Sequence, residues 1–404
     1  MTDMRERLIG GALVWARLHA ARDLRNGKGA KAALIIPPAA AGSVGDAAMI
    51  NATCAALRER GFAHIALASP GGWEALSDID EWLDLNAWFF GQSRRVLARG
   101  VRRLGAFSRS VLIGADCIDG VYNPGSITRR LTLLHEHAGI GGETTVLGSS
   151  FGLHPDPVAV ERLRSLHRDI VICARDPVSY NRLATATGRP IRQTADLAFL
   201  IKSDLGHDAA RVALAFIERQ AKTGRRTIGL NINFLIEAAH PGFAAAHRRL
   251  VDRLLASEHA LLLVPHDNRG KTTDASLLDM AIAHLTPAQR EHVAMLPPSP
   301  PCATKAVLGR LDAIVTSRMH AAILALSTGT AAISFVYQGK FEGLYRLLGL
   351  ENTGWLLDPA ELVHDSVATT DRICALIADA HQSDRIIAAG VAKARALADD
   401  NFAS

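Results

Sequence analysis

Short apolar runs alternate with helical stretches along most of the chain, and this alternation restricts the fold more than any other feature. The run Ala32 to Pro37 is followed by the glycine-containing segment Ala41 to Asp46, a helical stretch to Arg60 and a second apolar run, His64 to Ala68. This order of strand, loop, helix and strand is the βαβ unit of a parallel sheet that has helices on both faces.

The same pattern continues through both halves of the chain. Further strands are predicted at Ser110–Gly114, Thr144–Leu147, Ile170–Ala174 and Asp196–Ile201, and then at Thr227–Ile232, Ala260–Pro265, Ala313–Thr316 and Ala332–Tyr337. Helices are predicted over residues 4–26 and 243–256, and two more finish the chain. We therefore expect an α/β protein with two doubly wound, Rossmann-like domains that face a cleft, residues 1–204 and 205–404.

Length and charge fit this interpretation and exclude some classes of protein. A chain of 404 residues is long enough for two hydrophobic cores. Its 45 Lys and Arg against 40 Asp and Glu give a net charge of +5, which is too weak to indicate nucleic-acid binding. Five scattered cysteines form no C-x-x-C pair, so neither a disulfide framework nor a zinc site is predicted. We expect a cytoplasmic protein.

The glycine-containing loop Gly42-Ser43-Val44-Gly45-Asp46 lies between a predicted strand and a predicted helix. Backbone N–H groups and the helix dipole at such a position favour an anion. We expect Gly42, Ser43 and Gly45 to contact an anionic substrate and Asp46 to act in catalysis. The alternative is an ordinary turn in which Asp46 caps the helix.

Arg175 and Asp176 directly follow the predicted strand Ile170–Ala174 and precede Pro177. The planar guanidinium group matches a carboxylate or a phosphate, so Arg175 is a candidate anion ligand at the carboxyl end of a strand. Arg175 and Asp176 could instead form a structural pair.

The segment Ser317-Arg318-Met319-His320 gives the strongest signal, because it lies where a strand runs into a helix. The next strand ends at Tyr337, and Lys340 follows three residues later. Arg318, His320 and Lys340 are expected to converge, with Ser317 and Tyr337 as further substrate contacts. An unperturbed imidazole titrates near neutrality, so His320 is the candidate for proton transfer.

His266 and Asp267 follow the apolar run that ends at Pro265. This position is suited to a substrate contact by His266, and a salt bridge within the loop is an equally good interpretation.

Taken in order, several of these segments resemble the motif series of the polysaccharide pyruvyl transferase family. The matching segments are Gly42-Ser-Val-Gly-Asp46, Arg175-Asp176-x-x-Ser179, Asp196-Leu-Ala-Phe199, and Ser317-Arg-Met-His320 with Tyr337-x-x-Lys340. The resemblance implies a GT-B-like fold, phosphoenolpyruvate as donor, no cofactor and no metal. It also implies a cell-surface carbohydrate or its lipid-linked precursor as acceptor, and places Arg175 and His320 in the active site.

The chain departs from the family pattern at Gly114-Ala115-Asp116 and at Gly148 to Pro155, where glycine-rich segments are usual. These departures leave the acceptor sugar open. Two alternatives also remain open: a glycosyltransferase that uses a nucleotide sugar on the same fold, and a non-catalytic member that binds glycans.

Aromatic residues at Trp88-Phe89-Phe90 precede the clustered arginines Arg94, Arg95, Arg99, Arg102, Arg103 and Arg109. Such a combination is suited to peripheral contact with the inner face of an anionic membrane. A buried aromatic cluster next to a solvated arginine face is the other interpretation.

Overall fold

The computed structural model describes residues 2–69, 72–73, 76, 78–269, 271–337 and 339–403, with side chains from residue 10 onward. The chain divides into two compact units. The first comprises Met1–Ala41, Met49–Leu197 and Leu397–Ser404, and the second comprises Gly42–Ala48 and Ala198–Ala396. The break after Leu197 comes shortly before the predicted boundary, and two short segments belong to the unit opposite to the one expected.

The helices and strands in and next to the first unit follow in chain order: α1 (Thr2–Arg25), β1 (Ala32–Ile36), α2 (Val44–Glu59), β2 (His64–Leu67), β3 (Glu81–Trp82), α3 (Asn86–Phe89), α4 (Arg94–Leu104), β4 (Arg109–Ala115), α5 (Pro124–Gly139), β5 (Glu143–Ser149), α6 (Pro157–Arg164), β6 (Val171–Ala174), α7 (Pro177–Thr187) and β7 (Arg192–Gln193). The described strands form one parallel sheet in the order β3-β2-β1-β4-β5-β6-β7.

The second unit continues with α8 (Asp208–Ala221), β8 (Thr227–Leu230), α9 (Phe234–Ala239), α10 (Phe243–Ala256), β9 (Ala260–Leu263), α11 (Asp274–Ile282), α12 (Pro287–Arg290), β10 (Val293–Met295), α13 (Pro301–Leu308), β11 (Ala313–Thr316), α14 (Met319–Leu326), β12 (Ala331–Phe335), α15 (Phe341–Leu348), β13 (Leu356–Leu357), α16 (Pro359–His364), α17 (Ser366–Ala378) and α18 (Asp384–Asp399). Its described strands form a second parallel sheet, β10-β9-β8-β11-β12-β13.

Each sheet has the strand order of a doubly wound dinucleotide-binding fold, in which the order reverses beside the first strand. Strands β1, β4, β8, β9 and β11 are buried along their whole length. Strands covered by helices on both faces favour apolar side chains along most of their length, which explains why they appear as apolar runs in the sequence. The α/β class and the two Rossmann-like units are therefore confirmed. Within the described residues, no helix is long and apolar enough to cross a bilayer.

Some predictions of single elements were wrong. The run Asp196–Ile201 is not a strand, because Leu197–Leu200 forms a 3₁₀ turn after the last strand of its sheet. The edge strands β3, β7, β10 and β13 were missed. They are two or three residues long, too short to give a periodic signal. Two helices were expected after the predicted strand Ala332–Tyr337, whereas four α-helices, α15 to α18, are described after β12.

Hydrogen bonds explain why two short segments belong to the unit opposite to the one expected. At the C-terminus, the side-chain amide of Asn401 donates to the carbonyl of Ala195 at 2.9 Å and accepts from the N–H of Gly148 at 2.8 Å. Near the N-terminus, the carbonyl of Gly42 accepts from the N–H of Asn268 at 2.9 Å.

A buried histidine makes the second unit sensitive to acid. His247 packs edge-on against Phe243 and Phe335, with ring centroids 4.5 and 5.5 Å away, and its Nδ1 bonds the carbonyl of Phe243 at 2.8 Å. Burial lowers the pKa of His247 to about 4. Between about pH 6.5 and pH 4, His247 is therefore protonated in the unfolded chain but not in the folded one. The free energy of unfolding falls as the pH falls through this window.

We expect this one group to remove about 3 kcal/mol of stability between pH 6.5 and pH 4. Urea unfolding at a series of pH values should show a shallower acid loss in His247→Leu than in the parent chain. The matched control is His364→Leu, which removes an exposed histidine and should leave the slope unchanged. An identical pH slope in His247→Leu and the parent would contradict the assignment.

Candidate active site

The candidate site lies in the second unit at the carboxyl ends of β8, β9 and β11, beside the point where the strand order reverses. Asn231, just after β8, donates its amide to the carbonyl of Val264 at 2.9 Å and accepts from the hydroxyl of Thr316 at 3.0 Å. The N–H of Asn233 donates to the hydroxyl of Ser317 at 2.8 Å. These bonds fix the backbone path that leads from β11 into α14.

Arg318 is held by two carboxylates. Its Nε and Nη2 donate to Asp274 at 3.0 and 2.7 Å, its Nη1 donates to Asp267 at 3.4 Å, and its guanidinium carbon lies 4.7 Å from the ring centroid of Phe234. Burial alone would lower the pKa of Arg318, but the Asp274 carboxylate outweighs it and the pKa is raised. The guanidinium therefore stays charged and has little freedom to move.

Arg269 extends this arrangement, and the sequence analysis did not single it out. Its Nη2 donates to Asp267 at 2.6 Å and its Nη1 to Asp46 at 3.0 Å. The result is a row of alternating charges, Asp274, Arg318, Asp267, Arg269 and Asp46, called the ion-pair row below. The Arg318 side chain is 8% exposed and that of Arg269 is 35% exposed, so Arg269 is the arginine of the row that a solute reaches more easily.

The predicted anion-binding loop, Gly42 to Asp46, is joined to the loop after β9. Ser43 and Asp267 form an isolated antiparallel bridge, and the N–H of Val44 donates to the carbonyl of His266 at 3.0 Å. That N–H is therefore engaged within the protein. Contacts of Gly42, Ser43 and Gly45 with a substrate stay a prediction.

Helix α2 begins at Val44, two residues before Asp46. Asp46 lies in the first turn of the helix, its N–H donates to the hydroxyl of Ser43 at 3.4 Å, and its carboxylate accepts from Arg269. Asp46 therefore lies at the end of the ion-pair row, and its N–H bond to Ser43 is also compatible with a part in capping the helix. Its catalytic role stays a prediction.

His320 lies in the first turn of α14, with Gly45 against its ring. A Cβ atom added at Gly45 would lie 2.2 Å from Nδ1 and 2.4 Å from Cγ of His320. No real side chain fits at these distances, so glycine at position 45 is what lets the imidazole occupy its place. The His320 residue is partly exposed, while the Nε2 atom of its ring is buried.

Gly45→Ala should therefore displace His320 and lower any activity that depends on it by about tenfold or more, because small misplacements of a catalytic group are costly. The protein should stay folded, since repacking of this kind costs about 1–3 kcal/mol. Gly139→Ala is the matched control: Gly139 is also helical and has open space around its Cβ position. Activity is measured for both variants, and a thermal unfolding scan checks that both are folded. Equal activity in the two folded variants would contradict the steric argument.

His266 is buried, and neither of its ring nitrogens has a hydrogen-bond partner among the described residues. Burial lowers the pKa of His266 well below its usual value, and the nearby His320, Arg318 and Arg269 lower it further. The ring is therefore neutral at pH 7 and can offer one N–H and one lone pair. Orphaned polar atoms of this kind in a folded protein usually have a functional reason.

Tyr337 and Lys340 follow β12. The Lys340 ammonium lies 4.9 Å from the ring centroid of Tyr337 and is buried. Tyr337 lies near enough to Arg318 to raise its pKa. Tyr337 thus lies near Arg318, while the convergence of Lys340 with Arg318 and His320 and the substrate contacts of Tyr337 and Lys340 stay predictions.

Arg175 lies in the first unit, where its Nε donates to the hydroxyl of Ser150 and its Nη1 to Asp196, both at 2.7 Å. Asp176 does not pair with it, contrary to the structural alternative, and instead accepts from the N–H and hydroxyl of Ser179 at 2.7 and 2.6 Å as the cap of α7. These bonds connect the Arg-Asp-x-x-Ser segment to Asp196. The role of Arg175 as an anion ligand stays a prediction.

Sequence reasoning placed several second-unit residues correctly at strand ends but missed others. Ser317, expected to touch substrate, is fully buried, and its hydroxyl accepts from Asn233; substrate contact by it stays a prediction. Asp274 was missed because an acidic residue at the start of a helix is common. Asn231 and Asn233 were missed as well, although two polar residues directly after a buried apolar run could have indicated a site.

Comparison with known proteins identifies the fold. A glycosyltransferase from Rickettsia africae matches with a TM-score of 0.57 at 12% identity, over 92% of this chain and 94% of that one. HepE from Anabaena in complex with UDP-glucose matches with a TM-score of 0.55 at 13% identity, over 92% of this chain and 95% of that one. UDP-GlcNAc 2-epimerase from Neisseria meningitidis bound to UDP-GlcNAc matches with a TM-score of 0.53 at 9% identity, over 91% of this chain and 97% of that one. The chain has the GT-B-like fold of such proteins.

The sequence comparisons identify the family. No curated protein sequence matches the chain. The model of the polysaccharide pyruvyl transferase family matches residues 44–339, a span that runs from the start of α2 to just before Lys340. This match covers well over half of the chain, which therefore belongs to the polysaccharide pyruvyl transferase family.

Proposed function

We propose that the chain transfers a pyruvyl group from phosphoenolpyruvate to hydroxyls of a sugar in a cell-surface polysaccharide or its lipid-linked precursor, forming a pyruvate ketal. Membership of the family supports the reaction class. The observation that carries the proposal is the position of His320, a partly exposed histidine at a helix start whose ring lies against Gly45. A titratable group in that position is what proton transfer to a bound substrate requires.

Binding of the donor is proposed to depend on Arg269 and Lys340. Phosphoenolpyruvate is a small polyanion, and cationic side chains with N–H donors suit its phosphate and carboxylate. The Arg269 side chain is about one-third exposed, so a donor can reach it without breaking the buried pair of Arg318 and Asp274. Arg318 is then a positioning residue, which keeps Asp267 and, through it, Arg269 in place.

The chemistry needs two proton donors and two acceptors in balance. A proton added to the methylene carbon of the donor gives an oxocarbenium-like centre, which one sugar hydroxyl attacks as it loses its proton. The carbon–oxygen bond to phosphate then breaks, phosphate leaves with a proton, and a second hydroxyl closes the ketal as it loses its own. His320 is proposed to carry protons in these steps, with Asp46 as the second candidate.

His266 is proposed to orient a substrate oxygen by hydrogen bonding. Its imidazole is neutral at pH 7 and has two nitrogens without described partners. A neutral ring beside several charged groups can position an oxygen without adding another full charge.

A nucleotide-sugar glycosyltransferase is the second candidate function. HepE and the Neisseria epimerase, which share the fold, were solved with UDP-glucose and UDP-GlcNAc. Because these similarities are below 15% identity, they support the architecture and leave the donor open.

Calorimetric titration separates the two candidates without knowledge of the acceptor. Pure protein is titrated with phosphoenolpyruvate, with UDP and with UDP-glucose, and the Arg269→Gln variant is run alongside. Saturable phosphoenolpyruvate binding that weakens in Arg269→Gln supports the proposal. Saturable UDP binding with no response to phosphoenolpyruvate overturns it. Acceptor mixtures are then screened for phosphoenolpyruvate-dependent phosphate release and a gain in acceptor mass.

A further inference from the structure

Helices α1 and α4 of the first unit pack along each other and bury one side each. Ala16 and Ala20 of α1 are buried, and Gly105 at the end of α4 lies against the backbone of Ala20. Leu97 and Val101 of α4 belong to the same core cluster as Ala16. The opposite side of each helix is exposed to solvent.

The outward side of α1 carries large apolar side chains that the fold does not cover. Val14, Trp15 and Leu18 are 53, 55 and 64% exposed. With about 100° of rotation per residue, these positions share one arc of the helix with Arg22 and Arg25, opposite Ala16 and Ala20. Contiguous exposed apolar residues that end in basic ones are typical of a helix at a membrane surface.

The outward side of α4 adds positive charge. Arg94, Arg95 and Arg99 are exposed, and no described residue forms an ion pair with them or with Arg22 and Arg25. Among the side chains that the structure describes on these two helices, the carboxylate of Asp23 is engaged by Arg102 at 2.6 Å and by Lys28 at 3.4 Å. The surface is therefore strongly cationic.

The aromatic residues singled out from the sequence contribute less than expected to this surface. Trp88 and Phe89 are buried, with Trp88 Nε1 donating to the carbonyl of Arg129 at 3.0 Å, while Phe90 is 55% exposed. The aromatic cluster is thus mainly core, and the exposed apolar groups come from α1.

We propose that the α1/α4 face, defined by Val14, Trp15, Leu18, Arg22, Arg95 and Arg99, binds the headgroup region of an anionic lipid bilayer. The apolar side chains enter the boundary between headgroups and acyl chains, and the arginines contact lipid phosphates. A second copy of this chain is a poor occupant, because a two-fold contact would place arginines against arginines. This inference does not depend on the reaction that the chain catalyses.

Flotation with lipid vesicles tests the proposal. At low salt the full chain should float with vesicles of equal parts phosphatidylcholine and phosphatidylglycerol, and should stay behind with pure phosphatidylcholine. Arg95→Glu/Arg99→Glu should lower the partition coefficient by about 25-fold or more, since each arginine near the surface contributes about fivefold. Trp15→Glu/Leu18→Glu should lose flotation on anionic vesicles, because the apolar anchor is removed.

Two control variants make equal changes elsewhere. Val212→Glu/Val367→Glu alters side chains that are 61 and 51% exposed in the second unit, and Arg168→Glu/Lys222→Glu reverses two exposed charges. Both should float like the parent chain. Absence of parental flotation on anionic vesicles, or an equal loss in the controls, overturns the proposal. A further outcome also overturns it: the parent chain does not bind vesicles, and analytical ultracentrifugation shows a smaller oligomer for Trp15→Glu/Leu18→Glu than for the parent. That result would identify the face as a self-association surface.

Discussion

Replacing Arg318 with methionine is expected to lower the free energy of unfolding of the second unit by about 3–5 kcal/mol. Methionine keeps much of the side-chain volume but removes the charge, so Asp274, which is fully buried, loses both of its guanidinium hydrogen bonds. Asp274 would keep the hydrogen bonds from Asn231 and from the N–H groups of His266 and Asp267, but its buried negative charge would lose the cation that offsets much of its desolvation penalty. Thermal and urea unfolding, followed by a probe specific to the second unit, measure the loss.

The partner variant distinguishes a broken pair from general damage to the core. Arg318→Met/Asp274→Leu removes both charges and should recover part of the lost stability, whereas Arg346→Met, an exposed arginine in the same unit, should stay within about 0.5 kcal/mol of the parent. If Arg318→Met costs less than about 1 kcal/mol, or the double variant is no better than the single one, the ion-pair row does not stabilise the fold as described.

Replacing His320 with glutamine is expected to lower kcat for phosphoenolpyruvate-dependent transfer by about 100- to 10,000-fold. Glutamine is similar in size and can form hydrogen bonds, but it cannot take up or release a proton near neutral pH. Because His320 is partly exposed, the fold should remain stable. Steady-state phosphate release, with the KM for phosphoenolpyruvate measured in parallel, separates lost proton transfer from lost binding.

His364→Gln provides the matched control for His320→Gln. It makes the same chemical change at an exposed histidine on α16 and should leave kcat and KM at parental values. Full activity of His320→Gln would remove His320 from the proton-transfer role. A raised KM with unchanged kcat would instead make it a binding residue.

The sequence predicted the central strands well and the edges poorly, for physical reasons. Strands such as β8 and β9 are covered on both faces, so every position favours an apolar side chain and the run is visible. Edge strands such as β3 and β13 pair over two residues and need no such run. The apolar stretch Leu197–Leu200 misled the prediction, because its burial comes from packing of a turn and not from strand pairing.

Only part of the candidate site was visible in the sequence. His320 and Arg318 were found because they follow a recognisable buried strand. Arg269 was not, because its partner Asp46 is 223 residues away along the chain and nothing local records that the loop after β9 meets the start of α2. The contact of Gly45 with an anion stays a prediction, and its position against the His320 ring was not visible in the sequence, because His320 lies far along the chain.

The antiparallel bridge between Ser43 and Asp267 limits where the chain can be truncated to give the second unit alone. A fragment beginning at Ala198 would encode the Arg318 and His320 loops but omit Gly45 and Asp46, which belong to the same compact unit. Such a truncation leaves the imidazole without its packing surface and Arg269 without one of its two carboxylates. Complementation with a peptide that covers residues 42–48 is then the minimum needed to restore the missing contacts.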